Sequence, residues 1–222
     1  MVAPHADDET IGCGGTIARL AAEGHRVTVA IMTGHGENGP HPIFSREVFD
    51  HIRAEAVKAH RLLGVSETVL HEIPSVQVAE QPLWEVNGIV QRLFARVEPD
   101  VVFVPFQYDL HEDHRRIFAA CSVAWRPSSE IGRQIGAVYA YETPSETHWN
   151  FHNVEPGFTP NVWFDISDHL DTKVAALRCF ESQIDRYPGA RSLEALEALA
   201  RFRGSQMHME AAEAFVLVRQ SF

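Results

Sequence analysis

The sequence predicts an α/β domain whose largely parallel, Rossmann-like sheet is covered by helices on both faces. Short β-branched or continuous apolar runs, among them Arg26 to Thr33 (RVTVAIMT) and Asp100 to Pro105 (DVVFVP), alternate with stretches of helical spacing. The chain of 222 residues is long enough for one well-cored domain over residues 1–222, and no repeat or low-complexity segment divides it.

Val2 and Ala3 read as the end of a first strand, short against a usual length of about five residues. Thr10 to Glu23 carries Ile11, Ile17, Leu20 and Ala21 at helical spacing, and Gly24 supplies its stop. Arg26 to Thr33 is a buried strand, and Gly34 to Pro42 has the Gly, Asn and Pro density of a loop. Ser45 caps a helix to Leu63 whose apolar face is Val48, Ile52, Val57 and Leu62, with Gly64 beyond its end. Thr68 to Glu72 is a short strand. Pro82 opens a helix through Val97 that turns Val86, Val90, Leu93 and Phe94 inward. After the strand ending at Pro105, a loop leads into a helix from about His114 to Trp125. The last third adds strands at Ala137 to Tyr141, Val162 to Ile166 and Ala214 to Arg219. Helices are expected from Asp168 to Gln183, capped by Ser167, and from Ser192 to Arg203. The stretch YETPSETHWNFH lacks periodicity and suits a lid or a wall of a binding site.

A formal charge of -11 repels phosphate backbones, so bulk electrostatic binding to nucleic acid is excluded as an expectation and a neutral or cationic small molecule fits better. Cys13, Cys121 and Cys179 lie far apart without CxxC spacing, which suits a reducing cytoplasm. No run reaches the roughly 18 apolar residues of a membrane span, and no basic-then-apolar leader precedes the first motif.

Chemistry concentrates in two places that each follow an apolar strand. The first is Pro4 to Glu9 (PHADDE), one imidazole and three carboxylates in five positions; a cation among them relieves the repulsion of like charges. The second is His111 to His114 (HEDH). In parallel sheets ligands gather at the carboxyl ends of strands, so the two clusters should meet at one edge. A catalytic zinc site takes three protein ligands and leaves a position for water, and His5, Asp8 and His114 can supply that set. GCGG after the first cluster is not a GxGxxG phosphate cradle, and Gly12, Gly14 and Gly15 are better explained by close helix-to-sheet packing.

PHADDE followed by GCGGT resembles the first signature of the LmbE-like, or PIG-L-like, zinc-dependent N-deacetylases, and HEDH resembles their second. The likeness runs on through RAEAVKAHRLLGV, PNVWFDIS, KVAALRCFESQ and AEAF. Ala6 and Glu112 stand where that family usually has proline, and neither place supplies a ligand atom. The resemblance implies that His5, Asp8 and His114 hold one zinc ion and that Asp7 is the general base. It implies an N-acetylated amino sugar or conjugate as substrate, with amides of amino-sugar thiol conjugates as the alternative. His111 is then the candidate donor to the oxyanion, and Asp113 could hold it cationic and oriented. Glu37 and Arg53 lie in segments that the family uses near substrate, and Tyr108 and Asp109 flank the second motif as pocket candidates. His148 and Trp149 are candidates for stacking on a sugar face. Relatives are often oligomeric, so a homo-oligomer is a further expectation of the resemblance.

Several other readings stay open on the sequence. Asp7 also reads as a helix N-cap, His111 as a support for a ligand, and Glu37 and Arg53 as solvated surface charges. Iron(II) suits the same ligands as zinc. A nucleotide-binding α/β module without catalysis would need neither cluster, and a two-metal phosphoesterase would need more carboxylate ligands.

Overall fold

Strands form where β-branched residues run together, and helices form where the apolar spacing lengthens. The computed structural model describes residues 1–37 and 41–221. It contains β1 (Val2–Ala3), α1 (Asp8–Ala22), β2 (Thr28–Gly34), α2 (Arg46–Leu63), β3 (Glu67–Pro74), α3 (Leu83–Val97), β4 (Val101–Pro105) and α4 (Glu112–Ala124). There follow α5 (Glu130–Gln134), β5 (Ala137–Tyr141), the single turn α6 (Pro144–Thr147), β6 (Val162–Asp165), α7 (Leu170–Leu177), α8 (Leu193–Ser205) and β7 (Ala212–Gln220). Gly64 ends α2 at a φ of 75°, a left-handed conformation that a residue without Cβ adopts at little cost.

β1, β2 and β3 pair in parallel, β4 and β5 pair in parallel, and β1 runs beside β4. The strands form two hydrogen-bonded sheets, β1-β2-β3 and β4-β5-β7-β6, whose edge strands β1 and β4 adjoin. The second sheet is more mixed than the sequence suggests, because β7 runs antiparallel to both β5 and β6. β7 enters after α7 and α8 and inserts between β5 and β6.

β2 is buried on both faces and shows the period of two clearly. Ala30 and Met32 enter a core with Val90 and Leu93 of α3 and Ile117 and Cys121 of α4. Val29 and Ile31 enter a second core with Cys13 and Ile17 of α1 and Ala59 and Leu63 of α2.

Two helices depart from expectation. In α2 the buried face is Glu55, Ala56, Ala59, His60 and Leu63, whereas Val48 is 41% and Leu62 52% exposed. Small alanines let the helix approach its neighbours, and its buried polar groups find partners: His60 Nε2 meets Glu9 Oε1 at 3.0 Å, and Glu55 Oε1 accepts from the Ser182 amide at 3.0 Å. That second contact also explains why α7 stops at Leu177 instead of reaching Gln183: Ser182 bonds across to α2, not along a helix axis. No helix among the described residues is long and apolar enough to cross a membrane.

Candidate metal centre

β1 and β4 are neighbours, and the chain leaves them toward opposite sides of the sheet, so the loops at their carboxyl ends face one crevice. The first loop places His5 before α1 and Asp8 on its first turn; the His5 amide donates to Asp8 Oδ2 at 2.9 Å, which closes the loop. The second places His114 on the first turn of α4. Asp8 Oδ2 lies 3.4 Å from His5 Nδ1 and 3.2 Å from His114 Nε2. Bonds of about 2.1 Å at tetrahedral angles require ligand separations of about 3.4 Å.

The donor set fits a metal ion. Two imidazole nitrogens and a carboxylate oxygen converge within 4.8 Å of one another. Buried Asp8 Oδ1 and His114 Nε2 have no hydrogen-bond partner among the described residues, a condition that costs free energy unless a ligand relieves it. A second grouping of His5, His111 and Asp113 competes for His5. Its Asp113 is already engaged, accepting from the Val76 amide at 2.6 Å and the Val78 amide at 3.2 Å.

Each imidazole of the set is held through its other nitrogen by a carboxylate. His5 Nε2 meets Asp113 Oδ2 at 3.0 Å, and His114 Nδ1 meets Asp109 Oδ2 at 2.8 Å. Outer carboxylates of this kind fix the ring and raise its basicity as a ligand. Burial alone would lower the His5 pKa, but the bonds to Asp113 and Asp8 raise it to about 9. Burial likewise opposes His114, and Asp8 and Asp109 together raise it to about 10. The carboxylates that raise both rings would equally favour a bound cation.

These contacts correct two expectations. Asp113 does not hold His111 as a cation: its carboxylate serves His5, and only its backbone amide reaches His111, donating to Nδ1 at 3.1 Å. Burial and the neighbouring His5 lower the His111 pKa to about 4, so the ring is neutral and its proton sits on Nε2. Asp109 does not line the pocket, because it is fully buried between His114 and the Thr147 hydroxyl, which donates to its Oδ1 at 2.6 Å.

Asp7 precedes α1 but makes no side-chain cap, so the capping reading fails. Its carboxylate, 2% exposed, accepts from Arg191 Nη1 at 2.8 Å. Burial raises the Asp7 pKa, Arg191 lowers it, and Asp8 and Glu9 raise it, leaving it at about 7. Arg191 is fixed in turn by Ser145, whose hydroxyl accepts from its Nε at 3.0 Å.

A cavity of about 270 Å³ opens at the site. His5, Asp7, His111 and Arg191 line it, with Arg53, Thr33 and Ser75. Phe44, Val48, Phe49 and Ile52 line it from a single stretch of chain. Arg53 lies in this lining, paired with Glu72 and donating to Thr33 O at 3.2 Å. The remaining pocket candidates lie elsewhere. Glu37 is exposed and outside the lining. Tyr108 turns its ring onto Phe106, 5.6 Å between centroids, because the hydrophobic core beneath β4 draws it in. His148 is bonded to Glu142 at 2.8 Å, and Trp149 is 60% exposed away from the cavity.

A family model described as PIG-L: GlcNAc-PI de-N-acetylase matches residues 1–125. The chain belongs to the PIG-L family. The diacetylchitobiose deacetylase of Thermococcus kodakarensis is 26% identical over 195 residues, covering 82% of this chain and 68% of that one. The 4-oxalmesaconate hydratase of Pseudomonas putida is also 26% identical, over 206 residues, with 82% and 72% covered. Among solved structures, a conserved protein from Thermus thermophilus superposes with a TM-score of 0.75 at 26% identity, covering 100% of this chain and 94% of that one.

The matched PIG-L segment contains His5, Asp7, Asp8, Asp109, His111, Asp113 and His114, but it ends before Arg191. Sequence reasoning missed Arg191 and Ser145 altogether. Both lie in stretches without periodicity, and only folding brings Arg191 to a partner 184 positions away. Gly12 and Gly15 do serve packing: a Cβ at Gly12 would meet the Tyr141 ring at 2.4 Å, and one at Gly15 would meet Ile166 at 2.5 Å.

Proposed function

We propose that this chain is a zinc-dependent N-deacetylase acting on an N-acetylated amino sugar or its conjugate. The reading is supported above all by two imidazoles, each backed by a carboxylate, that converge with Asp8 beside the additional buried carboxylate of Asp7. His5, Asp8 and His114 would hold the ion; when bound, it supplies an acidified water and a polarised carbonyl.

The chain's own residues do the rest. Arg191 holds Asp7 Oδ2, which leaves Oδ1 to take the proton of the attacking water. With a pKa of about 7, Asp7 can accept that proton and later release it near neutral pH. His111 presents Nε2–H as a neutral donor toward the amide oxygen as charge develops there. A neutral His111 is a poor acid, so Asp7 returns the proton to the leaving amine.

The hydratase relative raises a second reading, addition of water to an unsaturated polycarboxylate. Such a substrate needs free cations. Both guanidinium groups lining the cavity face carboxylates, Arg53 with Glu72 and Arg191 with Asp7, which favours a neutral substrate.

The test is acetate release from N-acetylglucosamine, its glycosides and diacetylchitobiose, with metal content measured alongside. Turnover lost to chelator and restored by zinc, in preference to iron(II), supports the reading. Bound metal without acetate from any of these sugars rejects the substrate class, and no metal uptake after zinc is supplied overturns the ligand set.

A further inference from the structure

The cavity is chemically divided. Its polar lining surrounds the metal ligands, whereas Phe44, Val48, Phe49 and Ile52 come from one stretch, α2 and the loop before it, and offer no hydrogen-bond partner to a sugar hydroxyl. Of this wall only Ile52 packs against a buried core cluster. Phe44, Val48 and Phe49 join none of the buried clusters of the fold. Phe44 is 40% and Val48 41% exposed, so apolar surface stands in water at the mouth of a polar site.

The wall is also built to stay in place. His41, 8% exposed, bonds through Nε2 to Ser75 O at 2.8 Å, and its Nδ1 accepts from the amides of Ile43 at 3.2 Å and Phe44 at 3.1 Å. The rings of Phe44 and Phe49 flank it, with centroids 5.6 and 5.3 Å away, and meet each other edge to face at 6.0 Å. A fixed apolar wall loses little conformational freedom when a ligand covers it, so most of the gain from removing water appears as affinity.

We infer that the substrate carries an alkyl or aryl substituent beside the scissile amide, seated against Phe44, Val48, Phe49 and Ile52. This inference rests on the deacetylase reading and names the substrate class of the same site. The apolar group is either the aglycone of the amino sugar or an N-acyl chain longer than acetyl, and two ligand series separate these sources. The first is N-acetylglucosamine as its methyl, butyl and hexyl β-glycosides. The second is methyl glucosaminide carrying N-acetyl, N-butanoyl or N-hexanoyl groups.

Binding is read by titration calorimetry in chelator, where turnover does not enter, and release of the matching carboxylate (acetate, butanoate or hexanoate) is assayed separately with zinc. The expected result is a dissociation constant that falls about threefold to fourfold per added methylene in one of the two series, as burial of a CH₂ group predicts. The series that responds identifies the source. Because both positions are exposed, Phe44→Ser and Val48→Ser should leave folding intact, and each should flatten the dependence on chain length while thermal unfolding stays cooperative. Affinity that is flat or unmeasurable in both series overturns the inference, even if acetate is released. Affinity that rises with chain length while no carboxylate is released from any member of either series keeps the apolar seat and removes the deacetylase reading.

Discussion

Two buried charge clusters lie on either side of α1, and they are built differently. Behind the helix, Glu213 accepts from the Gly15 amide at 2.9 Å, the Thr16 amide at 2.7 Å and Lys173 Nζ at 2.5 Å. Glu142 beside it takes Arg203 through Nε at 2.8 Å and Nη2 at 2.7 Å, and His148 at 2.8 Å. Both carboxylates there are fully engaged. At the N-terminal end of the same helix, Asp8 Oδ1 and His114 Nε2 have no partner among the described residues, although every outer contact of the cluster is in place. A satisfied cluster braces the fold, whereas one satisfied everywhere except at converging atoms is prepared for something from outside.

Substitutions should separate the two. Asp7→Asn keeps the ligand set and removes the base, so acetate release should fall by about 10² to 10⁴ with zinc content unchanged; near-normal turnover would remove Asp7 from the mechanism. In the rear cluster, Lys173→Met leaves Glu213 buried without its cation and should cost about 3–5 kcal/mol of stability. Urea unfolding measures that cost, and a loss under about 1 kcal/mol would mean the pair is solvated, not structural. Asp109→Asn tests the outer carboxylate of the front cluster: zinc affinity should drop by about 10-fold to 100-fold, with unchanged affinity returning Asp109 to a packing role.

The smallest effect expected is a pH dependence of the rear cluster. Burial would raise the Glu142 pKa, but His148 and Arg203 together hold it below its ordinary 4.5. A carboxylate depressed in the folded state contributes stability above its unfolded value and loses it as pH falls through its folded one. The difference in melting temperature between wild type and Glu142→Gln should therefore shrink as the medium is acidified below pH 4.5. A constant difference would show that the ionised form is not what the fold uses.

The front cluster was far more legible in the sequence than the rear one. His5, Asp8 and His114 stand in short motifs after strands, and strand-helix alternation places such loops together. Gly64 marks the end of α2 for a local reason of the same kind, whereas Ser45 stands at its start without the side-chain cap expected of it. Long-range pairing leaves no such trace. The partners of Asp113 and Asp109, the cavity-facing side of α2 and the reversed direction of β7 depend on how distant segments meet, and neither periodicity nor capping encodes that.

Arg191 has one more consequence. The metal set needs only the chain as far as His114, yet the residue that braces Asp7 is supplied by a segment far downstream. Under the proposed function, a chain that lacks the segment around Arg191 would keep the three proposed ligands but lose the guanidinium that orients the base.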